Sequence, residues 1–154
     1  MNLPLAVANF LKRQSFVIVS TLDEKGRIHS SAKGIVSIDE KGNIYIIDLY
    51  KKKTFKNLQN NRTISITAVD EKRFLGFSVK GKAKIVEKKD IPEMVIKEWD
   101  KKVVERISKR LIRHVQDQKE NLLHPEAKFP LPEYLIVVEP QELVDLSPQE
   151  LRKV

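Results

Sequence analysis

The chain has 154 residues, 41% of them hydrophobic, a formal net charge of +8 and no cysteine. That length suits one domain with a real core, and the periodic apolar runs argue against disorder. The lack of cysteine excludes disulfides, thiolate metal sites and thiol catalysis, and fits a cytoplasmic protein. The charge permits a nucleic acid, an anionic membrane surface or an anionic cofactor and selects none of them. No apolar run approaches the ~20 residues of a membrane span, and Met1 to Lys12 lacks the layout of a secretory leader.

In chain order, Asn2 to Lys12 reads as a short helix, with Asn2 in the capping position, Pro4 in the first turn, and Leu5, Ala8 and Leu11 at helical spacing. Phe16-Val17-Ile18-Val19 is a continuous apolar run with β-branched residues, the pattern of a strand covered on both faces. Asp23-Glu24-Lys25-Gly26 is a turn with glycine where a positive φ is needed; it returns as Asp39-Glu40-Lys41-Gly42, and Asp70-Glu71-Lys72-Arg73 is a third version without the glycine. Related turns between strand-like runs predict a meander of antiparallel hairpins. The second strand is expected from about Arg27 to Ile38; its small residues, Ser30 to Gly34, leave room for a bend, or for a bend and a ligand. The third is Asn43 to Asp48 and the fourth Thr63 to Val69. The fifth, Phe74 to Glu87, contains Gly76 and Gly81, as a strongly coiled sheet closing on itself requires. It places Val79, Gly81, Ala83 and Ile85 on one face and Lys80, Lys82 and Lys84 on the other.

Between the third and fourth strands the period changes. Phe55 and Leu58 share a helical face, Thr54 stands where an N-cap belongs, and Asn60-Asn61 suit a helix end. Lys51, Lys52 and Lys53 lie at the positive end of that helix's dipole, where cations are unfavourable. Free N–H groups, a Thr hydroxyl and ammonium groups together describe an anion site, for which phosphate is the commonest occupant; lysines pointing into water are the other reading.

After Lys89, helical spacing runs from Met94 through Trp99 and Val103 to Val115, predicting two helices or one bent near Asp100, a helical insertion at about 90–120. Its outer face carries Lys101, Lys102, Arg106, Lys109, Arg110 and Arg113 and is expected to be solvated. The stretch 122–132 holds three of the seven prolines and reads as a loop, and Tyr134 to Val138 is a last strand that Pro140 should break. His29, His114 and His124 are widely separated, no metal-ligand spacing occurs, and no nucleophile or phosphate-loop motif is present. The residues therefore offer no catalytic set and no metal site of their own, and chemistry would have to come from a cofactor.

The order of these pieces resembles the FMN-binding split barrel family, which includes the pyridoxamine 5′-phosphate oxidase-like proteins. The matching stretches are Phe16 to Leu22, Gly26-Arg27-Ile28-His29, Ile44-Tyr45-Ile46, Lys53-Thr54-Phe55-Lys56-Asn57-Leu58-Gln59-Asn60-Asn61, Val79-Lys80-Gly81-Lys82-Ala83-Lys84-Ile85-Val86 and Tyr134 to Pro140. The resemblance implies a mainly β fold with flanking helices: a six-stranded antiparallel split β-barrel, homodimeric, as one domain over residues 1–154. It implies FMN bound between two barrels, its phosphate on Lys52, Lys53 and Thr54. Ser30, Ser31, Ala32 and Lys33 would meet the flavin ring and ribityl chain, with Ile47 and Asp48 beside the ligand. Asp48 departs from the hydroxyl common there in some members, and a carboxylate beside a phosphate is repulsive unless a lysine intervenes. The function that follows is a flavin oxidoreductase or electron carrier, with a nicotinamide cofactor or small donor as reductant. A deazaflavin or haem is an alternative ligand on this fold. A flavin-storage protein without a substrate is a further reading. A nucleic-acid-binding small barrel using the helix at 101–113 is another, although aromatic residues are only 6% of the chain.

Overall fold

The computed structural model describes residues 1–116 and 131–152. Helix α1 (Leu5–Arg13) precedes strands β1 (Val17–Leu22), β2 (Ile28–Lys33), β3 (Ile35–Ile38) and β4 (Ile44–Asp48). Helix α2 (Lys53–Asn60) follows, then β5 (Thr63–Asp70), β6 (Leu75–Glu87), helix α3 (Glu93–Gln116) and β7 (Tyr134–Asp145). The strands form one seven-stranded sheet in the order β2-β1-β5-β6-β7-β4-β3, and every pairing is antiparallel. The fold is mainly β, a sheet curled into a half-barrel with flanking helices, and has seven strands rather than six. The extra strand arises at Gly34, where the run expected from Arg27 to Ile38 divides into β2 and β3, the two edges of the sheet.

Alternation builds two apolar clusters. The inward residues of all the long strands, among them Val19, Ile46, Ile66, Val79 and Ile136, form the main core, which α1 closes with Phe10 and Leu11 and α2 with Leu58. On the opposite face of β3, β4 and β7, Val36, Ile47 and Leu135 pack beneath Val95 of α3, with Trp99 at the margin. Along β1, Val17 and Val19 are buried, but Ile18 is 45% exposed and the neighbouring Phe16 61% exposed. The outer face expected to be covered is therefore open in the single chain.

Some elements differ from their sequence signatures. Pro4, not Asn2, precedes α1. Helix α3 is continuous through Asp100. Pro140 does not end β7; the strand passes it with a register shift opposite Lys80 and Gly81, a bulge of the kind in which proline is tolerated. The loop at 122–132 lies almost wholly outside the described residues.

Gly81 is required at that bulge, because a Cβ there would sit 2.1 Å from the Glu139 carbonyl oxygen. Gly26, in the first turn, has φ +74° but open space around its Cα. Gly81→Ala should thus cost about 3 kcal/mol through overpacking, and Gly26→Ala about 1 kcal/mol through backbone strain alone. Urea unfolding midpoints of the two variants check the difference.

Candidate functional site

The lysine stretch folds as expected in outline and differently in detail. Helix α2 begins at Lys53, so Lys52 occupies the N-cap position, with φ −113° and ψ −135°, and gives no side-chain cap. Thr54 is not the cap. It lies inside the first turn, 4% exposed, and its hydroxyl is 3.2 Å from that of Ser31 on β2. One turn on, the Asn57 side-chain amide donates to the buried Thr21 hydroxyl at 3.1 Å. These two polar contacts, with Leu58 in the core, fix the start of α2 against β1 and β2. The first turn holds no acidic residue to offset its dipole.

The lysines separate by partner. Lys51 pairs with Glu87 at 2.9 Å and sits 5.0 Å from the centre of the Phe55 ring, so it does not simply face solvent. Lys56 is largely exposed, 3.8 Å from Glu24. Among the described residues neither Lys52 nor Lys53 makes an ion pair; the Lys52 ammonium lies 5.3 Å from the Tyr50 ring centre, and Lys53 is exposed beside a shallow cleft with Arg27, His29 and Asn57.

A second, deeper cleft of about 290 Å³ opens at the β2–β3 bend. One wall is Ala32, Lys33 and Gly34, another is Ile47, Asp48 and the Leu49-Tyr50 segment leading to the lysines, and the roof is Trp99, Lys102, Val103 and Arg106 of α3. The cleft thus gathers four of the sequence-predicted residues, Ala32, Lys33, Ile47 and Asp48. Ser31 joins it to Thr54. Ser30 shares the outer face with Ala32 but lies one step further from the bend, outside the cleft, its hydroxyl 2.9 Å from that of Ser20.

Asp48 has the lysine neighbour that its position demands. Its Oδ2 lies 2.8 Å from the Lys33 ammonium, and both side chains are nearly buried. The same oxygen accepts the Tyr134 hydroxyl at 2.5 Å. Burial first, and then Asp48, push the Tyr134 phenol far above its ordinary value. At neutral pH it is the protonated phenol that donates to Asp48.

The roof is what sequence reasoning missed. Lys102 and Arg106 were assigned to a solvated basic face, yet Lys102 donates to the Ile35 carbonyl at 2.5 Å and Arg106 to the Ser15 carbonyl, its guanidinium 4.9 Å from the Phe16 ring. Burial, followed by the Arg106 charge, lowers the Lys102 pKa. The available signal was spacing: Trp99, Lys102, Val103 and Arg106 follow i, i+3, i+4, i+7 and share a face with a large aromatic. Elsewhere Lys80 pairs with Glu142 at 3.5 Å and Lys82 donates to the Thr63 hydroxyl at 2.8 Å, so that lysine face is partly neutralised.

Residues 3–127 match the sequence profile of the pyridoxamine 5′-phosphate oxidase family. The chain belongs to that family. Comparison with curated protein sequences finds no match. Among solved structures, it is similar to HupZ of Group A Streptococcus, with a TM-score of 0.67 and 17% identity over 94% of this chain and 95% of that one. A Clostridium acetobutylicum protein of the pyridoxine phosphate oxidase family, related to general stress protein 26, superposes with a TM-score of 0.61 at 15% identity over 96% of each chain. HutZ of Vibrio cholerae, a haem storage protein, gives 0.55 at 16% identity over 94% of each. At these identities the likeness concerns the fold. No helix among the described residues is long and apolar enough to cross a membrane.

The Lys33–Asp48 pair gives a direct test. Removing one partner of a buried pair strands the other charge, so Lys33→Met should destabilise the protein by about 3–5 kcal/mol. Lys33→Met with Asp48→Asn should recover roughly 2 kcal/mol of that, because the amide oxygen still accepts from Tyr134. Urea denaturation of the two singles and the double completes the cycle.

Proposed function

We propose that the protein binds FMN and acts as a flavin oxidoreductase or electron carrier. The observation that carries this reading is the continuity between the cleft and the start of α2. The Leu49-Tyr50 wall of the cleft runs directly into Lys52 and Lys53, and the Ser31–Thr54 contact ties the cleft strand to the same helix turn. A ligand with a planar, largely apolar ring and an anionic end matches that layout. The ring would lie along Ala32, Lys33, Ile47 and Asp48, and the phosphate would meet Lys52, Lys53, Thr54 and the open N–H groups of the first turn.

The residues present fit such a group in three respects. Helix α2 has two lysines, Lys52 and Lys53, at its positive end that make no ion pair among the described residues, and its first turn holds no acid. Asp48 is compensated by Lys33, so its carboxylate does not oppose an anion at full strength. The cleft is at the small end of ligand pockets, which run from about 300 to 1,000 Å³. Its lining includes no histidine, cysteine or methionine among the described residues, and Tyr50 is the one side chain of a haem-ligating type. Bound FMN would supply redox chemistry at its ring; the protein holds the phosphate, orients the ring and excludes water with the α3 roof.

The same reading includes a homodimer. Phe16, Ile18 and Ile28 leave an apolar outer face on β1 and β2, 61%, 45% and 76% exposed, next to Ser30 and Ala32. A second copy would cover it and extend the site. Light scattering should give a dimer at micromolar concentration, and Ile18→Glu should shift it to monomer. A monomeric parent contradicts this part of the reading.

Lys53 provides the sharper test. Hydrogen bonds to charged groups contribute about 1.5–3 kcal/mol, so Lys53→Ala should weaken FMN roughly ten- to a hundredfold and riboflavin little. Lys56→Ala is the exposed control, expected to matter by less than about 1 kcal/mol. Titration of apo-protein with both ligands decides it, and equal FMN binding by Lys53→Ala and parent would place the anion elsewhere.

A further inference from the structure

Tyr134 is the first residue of β7 and is fully buried, yet it touches both halves of the proposed site. Its hydroxyl donates to Asp48, which holds Lys33 in the cleft wall. Its ring meets that of Phe55 edge to face, with centroids 4.9 Å apart and planes at 68°. Phe55 is in the first turn of α2, one residue beyond Thr54; it packs against the main core and lies under the Lys51 ammonium, anchored in turn by Glu87 at the end of β6. The cleft wall and the helix turn therefore rest on opposite ends of one side chain, which lies 86 residues after Asp48.

We infer that Tyr134 is a positioning residue that sets the distance between the ring-binding wall and the phosphate-binding turn. The inference rests on the flavin reading above and deepens it. Its two contacts act on different parts of the ligand. The hydroxyl acts through Asp48 and Lys33 on the ring. The aromatic ring acts through Phe55 on the orientation of α2, and so on the phosphate alone. Edge-to-face packing is directional, so an aliphatic side chain of similar bulk cannot reproduce it. Small displacements of binding groups are costly, since a shift near 1 Å can remove on the order of a hundredfold in function.

Two substitutions separate the contacts. Tyr134→Phe keeps the ring pair and removes the hydroxyl; it should weaken FMN and riboflavin by the same factor, about three- to tenfold, leaving the ratio of their affinities at the parent value. Tyr134→Leu removes both contacts and should lower the FMN-to-riboflavin preference about tenfold further. Phe55→Leu breaks the same ring pair from the helix side and should reproduce the fall in preference with the hydroxyl intact, which keeps the test open if Tyr134→Leu does not fold. The readout is the ratio of two dissociation constants on apo-protein, which a general loss of stability would not change. If the parent binds FMN and Phe55→Leu retains the parent ratio, Tyr134 does not position the helix turn and the inference fails alone. If Tyr134→Phe shifts the ratio as much as Phe55→Leu, the division of roles is wrong. If the parent binds neither ligand, the flavin reading fails and takes this inference with it.

Discussion

Strands β2 and β3 are separated by one residue in sequence and by the whole width of the sheet in hydrogen-bonding order. A flat seven-stranded sheet would hold its edges more than 25 Å apart, at about 4.8 Å per strand spacing. Gly34 cannot span that. The sheet must therefore roll until its edges meet at this residue, and the rest of the structure follows from the roll. It brings the last residue of β2 against the last of β4, as the Lys33–Asp48 contact records. It also leaves a gap beyond Gly34 where the edges part, and α3 lies over that gap. A Cβ at Gly34 would come nearest the Arg106 guanidinium, at 3.2 Å, with the Ser15 carbonyl oxygen next at 4.0 Å, so α3 presses closest on the bend.

Closing a sheet at one point puts polar main chain and charged side chains in a partly dry place. The protein meets this with paired groups. Lys33, Asp48 and Tyr134 satisfy one another at the barrel end. Lys102 and Arg106 spend their donors on the carbonyls of Ile35 and Ser15, at the start of β3 and just before β1. Such buried pairs add little net stability over apolar replacements of the same shape. Their value here is geometric: they hold the two edges and the covering helix in one arrangement around the cleft.

The strands were legible because alternation and turn chemistry agree. In the first turn the Asp23 carboxylate accepts from the N–H groups of Lys25 and Arg27, and in the second Asp39 accepts from those of Lys41 and Asn43, the same device twice. In the third, Asp70 accepts from Lys72 and Arg73, and Phe74 takes the positive φ, +53°, in the absence of the glycine. The lysine stretch before α2 was legible as a break in period, Leu58 by its helical spacing from Phe55, and Asn57, which only the resemblance singles out, has a physical reason in the Thr21 bond. The split at Gly34 was not legible as two strands, because the alternation of Ala32, Gly34, Val36 and Ile38 continues in the sequence across a bend that only closure imposes. The roof is not legible because charge in a sequence points to solvent, whereas long basic side chains can bury their stems and reach a carbonyl. Thr54 was assigned as a cap by residue type; a hydroxyl partner on β2, distant in sequence, decided its place instead.

The position of β7 bears on how the chain reaches this state. It is last in sequence but lies between β6 and β4, and its pairings alone join the four strands β2-β1-β5-β6 to the two strands β4-β3. Until β7 docks, Gly34 links two separate sheets that share no ladder. The contacts that unite them span most of the chain, as between Ile44 and Val138, and ordering such long loops slows folding towards the millisecond-to-second range of β topologies. Tyr134 opens that strand, so the wall and the helix turn acquire their common support only as the two sheets become one.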